Sequence, residues 1–233
     1  MPWDFWFILF VLGVLIPWRG RVRLKRLLAQ PGIDTREKLA LYGSTIAVQW
    51  ILLGIVAWRA FARGLTSSQL GLAQHLTLVL ILVGLVGAGL LGALQWFNLS
   101  RVSRLSGPVP ELLRKIAERL LPRNTFEVAP YCALSLTAGV CEEFLYRGFA
   151  WAALDRAGIP TSAVVIITSV LFGLAHAYQG RSGMVGTALV GIVLAGCRLW
   201  THSLVPGMAW HSAVDLAAGI AGPRYFFPAN AEK

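Results

Sequence analysis

Apolar and polar stretches alternate along the chain so as to mark off about seven apolar runs, at approximately 3–18, 40–60, 76–97, 128–154, 160–178, 184–200 and 203–221. A helix rising ~1.5 Å per residue needs roughly 17–25 apolar residues to cross a bilayer, and most of the runs meet that length. The pattern predicts an all-α protein, a polytopic transmembrane helix bundle of about seven spans. Between the third and fourth runs, Glu111 to Arg123 places Leu112, Leu113, Ile116, Leu120 and Leu121 on one helical face with charges opposite. That is the pattern of an interfacial amphipathic helix, read either as a connector resting on the membrane or as an element beside a substrate entrance.

Composition agrees with this picture. Of 233 residues 56% are hydrophobic and only 14% charged, well below the quarter usual in soluble domains. Trp3, Trp6, Trp18, Trp58, Trp96 and Trp200 lie near the ends of apolar runs, where amphipathic rings settle at headgroup level. No polar interval is long enough for a soluble domain, so a single integral-membrane domain over 1–233 is expected, with the N-terminal spans in 1–127. The positive cluster follows the first apolar run instead of preceding it, which predicts a retained anchor and not a cleaved signal.

The net charge of +10 raises the question of nucleic acid, but the basic residues lie between apolar runs and not on one soluble face. Lipid headgroups and topology explain them, and no nucleic-acid partner is expected. Arg19, Arg21, Arg23, Lys25, Arg26, Arg36 and Lys38 fill the first gap; Arg101, Arg104, Arg114, Lys115, Arg119 and Arg123 fill the third. Both gaps should be cytoplasmic, with the N-terminus outside and the C-terminus inside. A multi-pass protein of a bacterial plasma membrane is the expected location. Cys132, Cys141 and Cys197 are widely spaced in apolar sequence and read as core residues, neither a disulfide framework nor a zinc knuckle.

Against this apolar background a few polar residues stand out. Glu142 and Glu143 are adjacent in the fourth run, and a carboxylate in hydrocarbon costs several kcal/mol, roughly 3 on insertion scales, so each needs a partner or a task. Glu143 and Arg147 are four apart and can pair on one helical face, whereas Glu142 points ~100° away. Paired Glu143 would stay charged and hold the helix; Glu142 would be free to take a proton from water. His176 ends the fifth run, with Phe172 one turn earlier. His211 and Asp215 are again four apart, so Asp215 can fix the imidazole tautomer and leave the other nitrogen for a ligand.

The plainer reading is that these groups form an ion-pair network that locks a bundle. The sharper one is a water activated by Glu142 near two imidazoles, with His or Asp groups stabilising an oxyanion. No H-E-x-x-H string, no G-x-S-x-G elbow and no Gly-flanked serine near His202 and Ser203 offers another hydrolase. Counted from the run boundaries, Glu142 and His211 lie near mid-membrane and His176 toward one face, and a single site requires these levels to agree.

Taken in order, Glu142-Glu-Phe-Leu-Tyr-Arg147, Phe172-Gly-Leu-Ala-His176 and His211-Ser-Ala-Val-Asp215 resemble the three-motif signature of the CPBP family. These are the CAAX-processing and bacteriocin-processing intramembrane proteases, also called the Abi or type II CAAX prenyl endopeptidase family, with the pattern E-E-x-x-x-R, F-x-x-x-H, H-x-x-x-N or D. The resemblance covers roughly 128–222 and implies a catalytic core there. It implies Glu142 as the water-activating acid, Glu143 with Arg147 as the supporting pair, His176 as assisting water activation or binding a metal, and His211 with Asp215 as the oxyanion-stabilising or second polar pair.

It also implies a membrane-associated peptide or protein as substrate, met within the lipid bilayer. Glu142, His176 and His211 are the residues that would hold a divalent metal such as zinc, and the sequence leaves metal and metal-free versions open. The rivals are a proton-coupled transporter and a non-catalytic membrane scaffold using the same polar cluster.

Overall fold

Each apolar run becomes a helix, and the helices start where the side chains dictate. The computed structural model describes residues 1–73 and 75–227, so 228–233 of the expected domain lie outside the described residues. Eight helices and no strand are present among them. The first is α1, Trp3–Ala29. Asp34 and Glu37 exchange bonds in a capping box that opens α2, Thr35–Ala62. Thr77 caps α3, Leu78–Val102. After α4, Pro108–Leu120, the Asn124 side chain accepts from the Glu127 N–H and opens α5 over 125–156. Then come α6, Thr161–Ala175, a 3₁₀ turn Ala177–Gln179, α7, Gly180–Thr201, and α8, Val205–Phe226.

Three boundaries differ from the expectation for physical reasons. The first helix does not stop at 18 but carries the basic cluster on its own continuation. A widened π turn over Val11–Leu15, with the Ile16 N–H reaching Val11 O, accommodates Pro17, and the Arg, Lys and Leu that follow favour helix. The fourth run is longer than expected and contains a second π segment, Phe144–Ala150, immediately after the two glutamates. The amphipathic helix ends at Leu120, where Tyr42 Oη donates to Leu120 O at 2.6 Å and Lys38 Nζ to Leu121 O at 2.9 Å. Its apolar face is not left to lipid alone: Ile116 and Ala117 are buried against the bundle.

Among the described residues four helices are long and apolar enough to cross a membrane: α1, α2, α3 and Ala177–Thr201. The other three expected spans are those that carry Glu142, His176 and His211. Acidic and basic side chains interrupt the apolar stretch of α5, α6 has only 15 residues, and α8 is diluted by His211, Asp215 and Arg224. Large apolar side chains face outward around the bundle, among them Trp3, Leu78, Leu90 and Trp200, each about two-thirds exposed. In an apolar solvent that surface is satisfied.

The core is built around the π segment of α5: Phe144, Leu145, Tyr146 and Phe149 pack with Phe5 and Leu12 of α1, Val56 and Ala60 of α2, and Phe172 of α6. Small residues set helix spacing. Gly84 and Gly92 of α3 lie against Ala209 and Ala213 of α8, and Trp210 of α8 fits over Gly87 and donates to Val83 O at 2.9 Å.

Charges expected to mark loops are in part buried in the bundle. Lys38, 1% exposed, bonds Glu127 at 2.9 Å, and Glu127 also accepts from Thr35 and the Arg123 N–H. At the other end of α2, Arg59 and Arg63 both bond Asp4. The second helix is thus pinned at both ends by ion clusters to α5 and α1.

Candidate active site

Gly139 lets α5 and α8 meet. A Cβ there would lie 2.9 Å from Met208 O and 3.0 Å from Ser212 N, so only glycine permits the contact, and one turn later Glu143 faces His211. Glu143 and Arg147 are sealed from solvent and bonded at 2.9 Å, as their spacing predicts. Arg147 also donates to Gly191 O at 3.1 Å, and its guanidinium lies 4.2 Å from the Phe172 ring. A side chain at Gly191 would come within 3.0 Å of Arg147, which explains a glycine facing this ion pair.

The same carboxylate oxygen of Glu143 lies 3.1 Å from His211 Nδ1. A carboxylate accepts, so this nitrogen carries the proton. The His211 Nε2 to Asp215 Oδ2 distance is 3.7 Å, beyond a hydrogen bond. The expected pairing is therefore corrected: the acid that fixes the His211 tautomer is Glu143 from α5, not Asp215 from its own helix. Asp215 stays beside the other nitrogen, with a third of its side chain exposed.

His176 follows α6 as its C-cap. Its Nδ1 lies 2.9 Å from Phe172 O, so it donates there and Nε2 keeps its lone pair. That lone pair faces Glu142 Oε2 at 3.9 Å. Phe172 packs edge-on against both His176 and His211, at ring separations of 4.8 and 5.4 Å. The two imidazoles and two glutamates form one cluster, and the apparent mismatch of levels disappears. The fifth run yields a 15-residue helix, ~22 Å long against ~30 Å of hydrocarbon, so His176 is reached at depth.

Glu142 and Glu143 sit in different surroundings. The Glu142 side chain is 19% exposed and His176 16%, against 1% for Glu143. Glu142 Oε1 accepts from Gln49 Nε2 of α2 at 2.8 Å, while Oε2 makes no bond to protein. Gln49 is a contact that sequence reasoning missed. Its only signal was an amide inside the apolar run 40–60. It also places the site along α2: Lys38 and Arg59, which take part in the ion clusters at its two ends, lie ~16 and ~15 Å from Gln49, so Glu142 is level with the middle of that helix.

Among the described residues no group of three or more His, Cys, Asp or Glu side chains is arranged to hold a metal ion. Glu142 and His176 are adjacent, while the nitrogens of His211 lie nearest Glu143 and Asp215. Ser203 is buried and its Oγ accepts from the Val205 N–H, a cap for α8.

No curated protein and no solved structure matches the chain. Residues 124–217 match the family described as type II CAAX prenyl endopeptidase Rce1-like. All seven fixed residues of the three sequence motifs fall inside that stretch, and Gln49 falls outside it. The match indicates a protease, and the apolar helices an integral membrane protein. Residues 124–217 thus form a domain of the Rce1-like family of type II CAAX prenyl endopeptidases.

Proposed function

We propose that the protein is an intramembrane endopeptidase that hydrolyses a peptide bond of a membrane-associated, CAAX-type substrate with a water activated by Glu142 and His176. One observation carries this reading: among the described residues Glu142 Oε2 has no protein partner, and it faces the His176 lone pair at 3.9 Å, in a partly open place beside a sealed Glu143–Arg147 pair. Two acceptors at that separation suit a bridging water.

In this reading Glu142 Oε2 takes a proton from the water as its oxygen attacks the carbonyl carbon, a step of general-base type worth ~10²–10⁴-fold. Electrons of the C=O bond move to oxygen. His211, anchored through Nδ1 on Glu143, presents Nε2 to the site, and when that nitrogen carries a proton it donates to the oxyanion. Collapse of the intermediate breaks the C–N bond, and the departing nitrogen receives the proton held by Glu142. A carboxyl terminus and a free amine result. Glu143 and Arg147 touch no reacting atom and act by holding His211 and α5 in place; Asp215 tunes His211 from its open side. The core over 128–222 holds these motif residues, and the substrate reaches it from the bilayer.

The test is direct. Purified protein in vesicles is given S-prenylated peptides ending in Cys and three further residues, and products are mapped by mass spectrometry in ¹⁸O-water. Cleavage with one ¹⁸O in the new carboxyl terminus supports hydrolysis. Intact peptides across the panel, with folded protein, contradict it.

A further inference from the structure

The second helix lies outside the Rce1-like stretch, yet it supplies the one bond that Glu142 accepts. Gln49 Nε2 donates to Glu142 Oε1 at 2.8 Å, and the Gln49 carbonyl oxygen is buried with no partner. Glu142 Oε2 is likewise buried and unpartnered. An amide used only to tie α2 to α5 would be expected to satisfy both of its ends, because a buried unpaired acceptor costs ~1–3 kcal/mol. Here one donor is engaged and two acceptors are left open, one on each side chain. Each can accept from water.

The position of Gln49 is itself held firmly. Both ends of α2 are locked by ion clusters, Lys38 with Glu127 buried and Arg59 with Asp4 partly buried, so the amide has little freedom to slide along the α5 face. Trp50, the next residue, donates to Thr137 of α5 at 3.3 Å and fixes the rotation of α2 at this level.

We infer that Gln49 is a positioning residue for the proposed hydrolysis: its N–H fixes the Glu142 carboxylate so that Oε2 faces His176 and the water that bridges the two. One proton of the water points to Glu142, the other to His176 Nε2, and a lone pair of its oxygen is left for the carbonyl carbon. The 124–217 stretch is then incomplete without α2. This role rests on the proteolytic reading above, whereas the Gln49–Glu142 bond itself does not.

The test has two arms, both on full-length protein in phosphatidylcholine vesicles. In the kinetic arm, Gln49→Leu keeps the volume and removes the bond; kcat on a cleaved S-prenylated peptide should fall about 10²-fold with KM within about twofold, the loss typical of a misplaced reacting group. Gln49→Asn keeps an amide but withdraws it by one methylene, and should fold and lose kcat in the same way. In the spectroscopic arm, the carboxyl band of Glu142, isolated as the infrared difference between wild type and Glu142→Gln, should shift in Gln49→Leu without any peptide present. Full kcat in either variant, a loss that falls on KM, or an unmoved band overturns the proposal. If wild type cleaves no peptide, the proteolytic reading fails, and the band alone decides whether Gln49 holds Glu142.

Discussion

His211 gives its Nδ1 proton to Glu143, at 3.1 Å and from another helix, while Asp215, one turn along its own helix, stands 3.7 Å from the opposite nitrogen. The two carboxylates therefore contribute differently. Glu143 is sealed and shared with Arg147; Asp215 is one-third exposed and unbonded to the ring.

Asp215→Asn should accordingly be mild. The charge of a partly exposed group beyond hydrogen-bond distance is worth about 1 kcal/mol or less, so kcat should fall by no more than about tenfold. Glu143→Gln should abolish activity. Steady-state cleavage assays on the two variants decide it, and equal losses would contradict the division of labour.

Glu143→Gln should also unfold more easily, because Arg147 would be left charged and buried without its partner, a loss of about 3–5 kcal/mol. Glu142→Gln should melt close to wild type, since Glu142 has one neutral bond and no buried cation to abandon. Thermal unfolding in detergent measures both, and a Glu142→Gln variant as fragile as Glu143→Gln would speak against the assignment.

Gly139→Ala should separate α5 from α8, since the added carbon meets the backbone of Met208 and Ser212 at 2.9 and 3.0 Å. Overpacking of this kind costs about 1–3 kcal/mol. Gly186→Ala is the control, because nothing lies within 4 Å of the carbon it adds. Melting temperatures should fall for the first variant and hold or rise for the second.

Lys38→Met should be costly although Lys38 reads as a loop charge. It strands Glu127, 2% exposed, in the bundle, and about 3–5 kcal/mol should be lost. An unchanged unfolding midpoint would show that the pair is not buried in the folded protein.

Much of this was legible in the sequence, and what was not has identifiable causes. Apolar runs of helical length located seven of the helices, and the i, i+4 rule found Glu143–Arg147. The same rule misassigned His211, because spacing along one helix says nothing of a carboxylate brought closer by its neighbour. Gln49 carries no charge, so an intramembrane search for ionisable groups passes over it. Lys38 was counted among loop charges because its acidic partner, Glu127, lies 89 residues away. Counting along the runs set His176 and Glu142 at different levels, because run boundaries do not show how the helices are offset along one another; the two side chains lie 3.9 Å apart.

The most direct measurement is cleavage by Glu142→Gln, which keeps the shape of the side chain and removes its basicity. With wild type active on a prenylated peptide in vesicles, the variant should bind that peptide with unchanged affinity, melt normally and lose at least about 10³-fold in kcat, within the range set for general-base catalysis. Turnover by the folded variant within tenfold of wild type would contradict Glu142 as the group that activates water.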